Sequence, residues 1–105
     1  MKEITVQDLK AMRDKKEAHQ LIDIRETYES DIASIGGELI PMGQIMSHVE
    51  RIAKDKPVIV HCRSGARSAA IVQNLERQHG FTNLYNLKGG ILAWAKEIDP
   101  SLPTY

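Results

Sequence analysis

The chain has 105 residues and a mass of 11.8 kDa, the size of one ordinary domain. With 42% hydrophobic and 27% charged residues, it has the composition of a folded core rather than of wholesale disorder. Fourteen basic and fourteen acidic residues leave no net charge, which argues against a nucleic-acid-coating role, and a single cysteine excludes a disulfide framework or a cysteine-rich metal cluster.

Short β-like runs alternate with helix-like runs along the chain. Ile4-Thr5-Val6 reads as a first strand, and Thr5 with Asp8 as a capping box opening a helix that carries Leu9 and Met12. The charge run Arg13 to Glu17 reads as a solvated helix end. Leu21-Ile22-Asp23-Ile24 is a buried strand, Glu26 to Ser30 a helical turn, and Glu38-Leu39-Ile40 a short strand stopped by Pro41. Ile45, Val49 and Ile52 stand at helical spacing. Pro57 to His61 is the strongest strand, a β-branched run. Arg67 to His79 follows as a helix with Ala70, Ile71, Asn74 and Leu75 near one stripe, ended by Gly80. Leu84 to Leu87 is a further strand, and Ile91 to Glu97 a last helix after Gly89-Gly90.

This alternation with short connections predicts an α/β fold: a mainly parallel sheet of about five strands flanked by helices on both faces, with residues 1–105 forming one domain. No stretch approaches the ~20 apolar residues of a membrane span, and Met1 to Thr5 lacks the apolar run of a signal peptide. The expectation is a soluble, cytoplasmic, monomeric protein with no membrane or nucleic-acid partner.

In parallel sheets ligands sit beyond the carboxyl ends of the strands, beside helix N-termini. One segment meets that rule: His61-Cys62-Arg63-Ser64-Gly65-Ala66-Arg67-Ser68, between the best strand and the best helix. A tight turn there aims successive backbone N–H groups inward as an anion nest, and the following helix adds its positive end. Gly65 supplies a conformation closed to other residues, while Arg63 and Arg67 add fixed positive charge. Such a loop stabilises a thiolate, so Cys62 is expected to be a reactive nucleophile facing a pocket shaped for an oxyanion. The competing reading is an inert, buried cysteine. Six basic residues between Arg51 and Arg77, against Asp55 and Glu76, give that segment a net +4, a field that favours a small anion. Ser64 and Ser68 read as hydrogen-bond partners of the sulfur or donor, Ser68 equally as a helix N-terminal residue. Asp23 and Arg25 read as a supporting charge pair. His61, one strand position before Cys62, is expected to point to the opposite face. His19, His48 and His79 lack metal-ligand spacing. Trp94 reads as core, and Gly89-Gly90 as a tight turn.

The chain resembles the rhodanese family of single-domain sulfurtransferases over nearly its whole length. Leu21 to Glu26 looks like the family's first signature and Tyr28-Glu29 like the aromatic-Glu that follows. Leu39-Ile40-Pro41-Met42 looks like its Ile-Pro element. Cys62 to Ser68 matches the active-site loop, with Cys first and Arg sixth, and Gly89 to Trp94 is similar to the closing Gly-Gly-x-x-x-Trp. Asp31 to Glu38 departs from the usual Gly-His-Ile-x-Gly-Ala. The Ile-Gly-Gly-Glu-Leu-Ile-Pro variant is similar to rhodanese domains fused to adenylyltransferases of cofactor biosynthesis. The resemblance implies sulfane-sulfur transfer from a donor such as thiosulfate through a Cys62 persulfide, with no metal or other cofactor. The loop amides and Arg67 would hold a small anionic donor, and a protein could serve as sulfur donor or acceptor.

Two other readings stand beside it. Cysteine phosphatases and arsenate reductases share His-Cys and Arg-Ser, but with five residues between Cys and Arg; here there are four, Arg63, Ser64, Gly65 and Ala66. The tighter ring of amides suits a persulfide sulfur better than a tetrahedral phosphate. The other reading is a non-catalytic interaction module of the same fold.

Overall fold

The computed structural model describes residues 1–105. Its elements are β1 (Lys2–Ile4), α1 (Val6–Asp14), β2 (Gln20–Asp23), α2 (Thr27–Ile32), β3 (Glu38–Leu39), α3 (Met42–Ile45), a 3-10 turn (Val49–Arg51), β4 (Val58–His61), α4 (Ala66–His79), β5 (Leu84–Leu87) and α5 (Gly90–Glu97). The five strands form one sheet in the order β1-β5-β4-β2-β3, every pair parallel, as the alternating pattern predicts. No helix is long and apolar enough to cross a membrane.

Strand alternation divides the sheet between two cores. Ile22, Ile24, Val58, Val60, Cys62 and Leu84 face one side, under Ile71, Val72 and Leu75 of α4. Ile59 and Leu87 face the other, under Val6 and Leu9 of α1 and Ile91 and Trp94 of α5. Helices therefore cover both faces, and β4, buried at all four positions, lies at the centre.

Four local expectations are corrected. The first strand ends at Ile4, because extended Thr5 caps α1: its side chain accepts the Asp8 N–H at 3.1 Å, and Val6 is already helical. Ile45, Val49 and Ile52 do not share a helix; α3 ends at Ile45, and the chain continues through i to i+3 turns (His48 N–H to Ile45 C=O, Ile52 N–H to Val49 C=O) that still turn Ile45 and Ile52 into the core. The buried stripe of α4 is Ser68, Ile71, Val72 and Leu75, with Ala70 exposed; this i, i+3, i+4, i+7 set is one face of a helix. Arg13 is not simply solvated: it lies over the Trp94 ring at 5.2 Å and donates to the Ile35 carbonyl at 2.8 Å.

The chain leaves β2 toward β3 and leaves β4 toward β5, in opposite directions along the sheet. Such a reversal opens a crevice beyond the carboxyl ends of the two strands. The Cys62 loop follows one of them, and the Asp23-Ile24-Arg25 segment the other.

Candidate active-site loop

The turn from β4 into α4 wraps around the Cys62 sulfur. Gly65, at φ +100°, takes a left-handed conformation that a side chain resists, and sits at the N-cap of α4. Its N–H donates to Cys62 Sγ at 3.1 Å, and both the N–H and hydroxyl of Ser68 lie 3.4 Å from the same sulfur. Cys62 is 1% exposed. Burial alone pushes its thiol up; the Ser68 hydroxyl, the Ser68 and Gly65 amides and the Ser64 amide outweigh it and bring the group below its ordinary value.

The loop's outer side is held by α5. The Ile91 and Leu92 amides donate to the Cys62 and Arg63 carbonyls at 3.0 and 3.1 Å. In a trans peptide C=O and N–H point in opposite directions, so fixing these carbonyls outward turns the next amides inward. The approach is close: a Cβ on Gly90 would stand 2.5 Å from the Arg63 oxygen and 2.6 Å from that of Cys62. The Gly89-Gly90 pair thus does more than make a tight turn.

Asp23 and Arg25 form the expected buried pair. Arg25 is fully buried; its Nε and Nη2 donate to the two Asp23 oxygens at 2.9 and 2.8 Å, and its remaining donors meet the Glu29 and Ala33 carbonyls and the Tyr105 hydroxyl. Burial disfavours the Arg25 charge, but the bonds from Asp23 and Tyr105 keep its pKa above the ordinary value. His61 turns away from the thiol as alternation requires. Its Nδ1 lies 3.3 Å from the Cys62 oxygen, while its Nε2 stands 3.9 Å from Asp23 without a hydrogen bond. Burial lowers its pKa despite that carboxylate, so the ring is neutral at pH 7.

Three partners escaped the sequence reading of the site. Glu29, 3% exposed, forms a two-pronged bond to Arg67, Nη1 to Oε1 and Nη2 to Oε2, each 2.8 Å. That bond, ahead of opposing burial, lowers the Glu29 pKa to about 2. Tyr105 donates from its hydroxyl to Glu29 Oε2 at 2.8 Å, and the Arg63 guanidinium lies over its ring at 5.0 Å. Asn86 on β5 reaches under the loop to Ser68 and Gly65. The one legible signal for Asn86 was an amide inside the apolar run Leu84 to Leu87; Tyr105 carried none.

Two expectations fail. Cys62 does not face an open pocket, because the residue is only 1% exposed. The sulfur is covered, yet the neighbouring amides converge on it. Nor does the net +4 segment gather at the loop. Lys54 and Lys56 precede β4, at the opposite end of the sheet, Arg77 lies near the far end of α4, and Arg51 pairs with Glu38 at 2.8 Å. Only Arg63 and Arg67 of that set stand at the sulfur.

Comparison with known proteins agrees with this architecture. Residues 5–97 match the rhodanese-like domain family. A probable adenylyltransferase/sulfurtransferase, MoeZ, of Mycobacterium tuberculosis is 34% identical over 105 residues, covering 97% of this chain and 26% of that protein, so the chain spans about a quarter of that relative's length. A sulfurtransferase of Allochromatium vinosum is 42% identical over 77 residues, 72% of this chain and 71% of that one. The crystal structure of a rhodanese-like domain protein from Staphylococcus aureus superposes with a TM-score of 0.82 at 29% identity, covering 100% of this chain and 99% of that one. With a family match that runs over residues 5–97, nearly all its length, the chain belongs to the rhodanese-like domain family.

Proposed function

We propose that the protein is a sulfurtransferase that carries sulfane sulfur on Cys62. The observation that carries this reading is the convergence of the Gly65 N–H, the Ser68 N–H and the Ser68 hydroxyl on Cys62 Sγ. The same donors that favour a thiolate also favour the terminal sulfur anion of a persulfide. Relatives named as sulfurtransferases support it.

In the proposed cycle the Cys62 thiolate attacks the outer sulfur of a donor such as thiosulfate. A Cys–S–S⁻ bond forms, the donor's own S–S bond breaks, and sulfite leaves with the electron pair. A nucleophilic acceptor, a thiol or cyanide, then takes the outer sulfur and returns the thiolate. Atoms and electrons balance without an external oxidant, metal or organic cofactor. Arg67 is tied to Glu29 through one N–H of each terminal nitrogen, and its side chain is 35% exposed, so its other N–H groups remain for the donor's oxygens. Arg63, whose buried Nε has no partner, is a second cation for an anionic donor. A protein persulfide is an alternative donor, delivered to the same loop.

The test is intact-mass spectrometry after incubation with thiosulfate. The wild-type chain is expected to gain one sulfur atom that a reductant removes, and Cys62→Ser to gain none and to form no thiocyanate from thiosulfate and cyanide. A serine variant with full thiocyanate formation would overturn the assignment. A chain that takes up sulfur from no donor, small molecule or protein persulfide, would instead be an interaction module.

A further inference from the structure

Asn86 stands at the carboxyl end of β5, paired in register with Val60 of β4, and is 3% exposed. On that strand face Leu84 and, from α4, Ile71, Val72 and Leu75 belong to an apolar core. A buried amide among them needs partners, and it has two, both in the cysteine loop. Its Oδ1 accepts the Ser68 hydroxyl at 2.5 Å and its Nδ2 donates to the Gly65 carbonyl at 3.2 Å. Ser68 and Gly65 are the residues whose donors lie within 3.4 Å of the sulfur.

We propose that Asn86 is a positioning residue for sulfur transfer: it fixes the Ser68 side chain and the Gly65–Ala66 peptide in the orientation from which the loop donates to Cys62 Sγ. This rests on the proposed function only in taking Cys62 as the reacting atom. The geometry supplies two levers. The Gly65 carbonyl, which also accepts the Ala69 N–H of α4 at 3.0 Å, is held toward Asn86, and the Ala66 N–H of the same peptide turns the other way. Holding Ser68 Oγ at Oδ1 also keeps that oxygen 3.4 Å from the sulfur. The hydroxyl has one proton and three acceptors in reach, Asn86 Oδ1, the Gly65 carbonyl and Cys62 Sγ. The charged groups around the thiol are Arg63 on the loop and Arg67 on α4, the latter paired with Glu29 of α2; Asp23, Arg25 and His61 lie toward the other face of the sheet. Asn86 is the neutral group that tunes the loop beneath them.

The readout is the ionisation of Cys62, followed by thiolate absorbance near 240 nm and by the pH dependence of iodoacetamide alkylation. Asn86→Leu keeps volume and removes both bonds; Asn86→Asp removes the donor and adds negative charge. In both, the thiolate is expected to become about tenfold less favoured. Sulfur-transfer rate falls to match near neutrality and recovers as the pH is raised. A merely structural role would lower activity at every pH without moving the titration. In the wild-type chain, the ¹⁵N side-chain resonance of Asn86 is expected to titrate with the Cys62 midpoint, and the shift to vanish in Cys62→Ser. This measurement decides the matter should neither variant fold. An unmoved thiolate titration in folded variants, or an Asn86 resonance blind to Cys62, overturns the proposal. Persulfide formation, scored separately by mass, tests the transfer reading itself.

Discussion

Glu29 of α2 and Arg67 of α4 meet in a two-pronged ion pair, both distances 2.8 Å, joining the segment after β2 to the segment after β4. The pair bridges the crevice where the chain reverses direction along the sheet. Glu29 is nearly shut from water, whereas the Arg67 side chain is 35% exposed.

This asymmetry decides what removing the arginine does. Arg67→Ala strands a buried carboxylate and is expected to cost about 2–3 kcal/mol, so the variant loses stability as well as donor use. Urea unfolding of Arg67→Ala, Glu29→Gln and the double variant checks this. The double variant is expected to be more stable than Arg67→Ala alone, and additive losses would show the pair idle.

The same carboxylate sets an acid limit. Its folded pKa of about 2 lies below the ordinary 4.5, so the stabilisation is whole above about pH 4.5 and lost as pH falls toward 2. The shift alone corresponds to about 3 kcal/mol, reduced to roughly 1–2 kcal/mol by the exposure of Arg67. Urea midpoints at pH 7, 4 and 2.5 should drop less in Glu29→Gln than in the wild type.

Cys62 titrates in the opposite functional sense. Its pKa lies below the ordinary thiol value of 9.0, and the thiolate is the nucleophile. Alkylation rate is expected to rise with pH, reach its plateau with a midpoint below 9, and be lost as pH falls through that midpoint. Ser68→Ala removes one donor to the sulfur and should move the midpoint up. A midpoint at or above the free-thiol value would mean that burial prevails.

Gly90 carries a steric prediction. At φ +60° and with a Cβ set within 2.6 Å of two loop carbonyls, Gly90→Ala must push α5 off the loop. The loss is expected to exceed about 3 kcal/mol, with thiolate formation impaired in whatever folds. Amide hydrogen exchange at Ile91 and Leu92 reports it directly, since both protons are bonded to the loop.

Much of this architecture was legible because local chemistry and position coincided. Val58 to His61 is a β-branched run bounded by Pro57 and a glycine loop, and no other element suits such a run. Alternation alone placed His61 opposite Cys62. The partners of Arg67, Gly65 and Ser68 were not legible, because Glu29, Asn86 and Tyr105 lie 38, 21 and 18, or 76 positions distant from the residues they hold, and no periodicity encodes a contact between separate elements. The misplaced positive field has the same origin. A charge sum along the chain ignores that β4 carries it from one pole of the sheet to the other. The covering of the sulfur was missed because a turn after a buried strand was read as open, while Cys62 still alternates with Val58 and Val60 into the core.

The two hydrogen bonds from α5 to the carbonyls of Cys62 and Arg63 have a temporal consequence. During synthesis the cysteine leaves the ribosome well before residues 90–92 do, and until they arrive nothing on that side orients the turn. The arrangement around Cys62 Sγ is therefore complete only when α5 has docked on the loop.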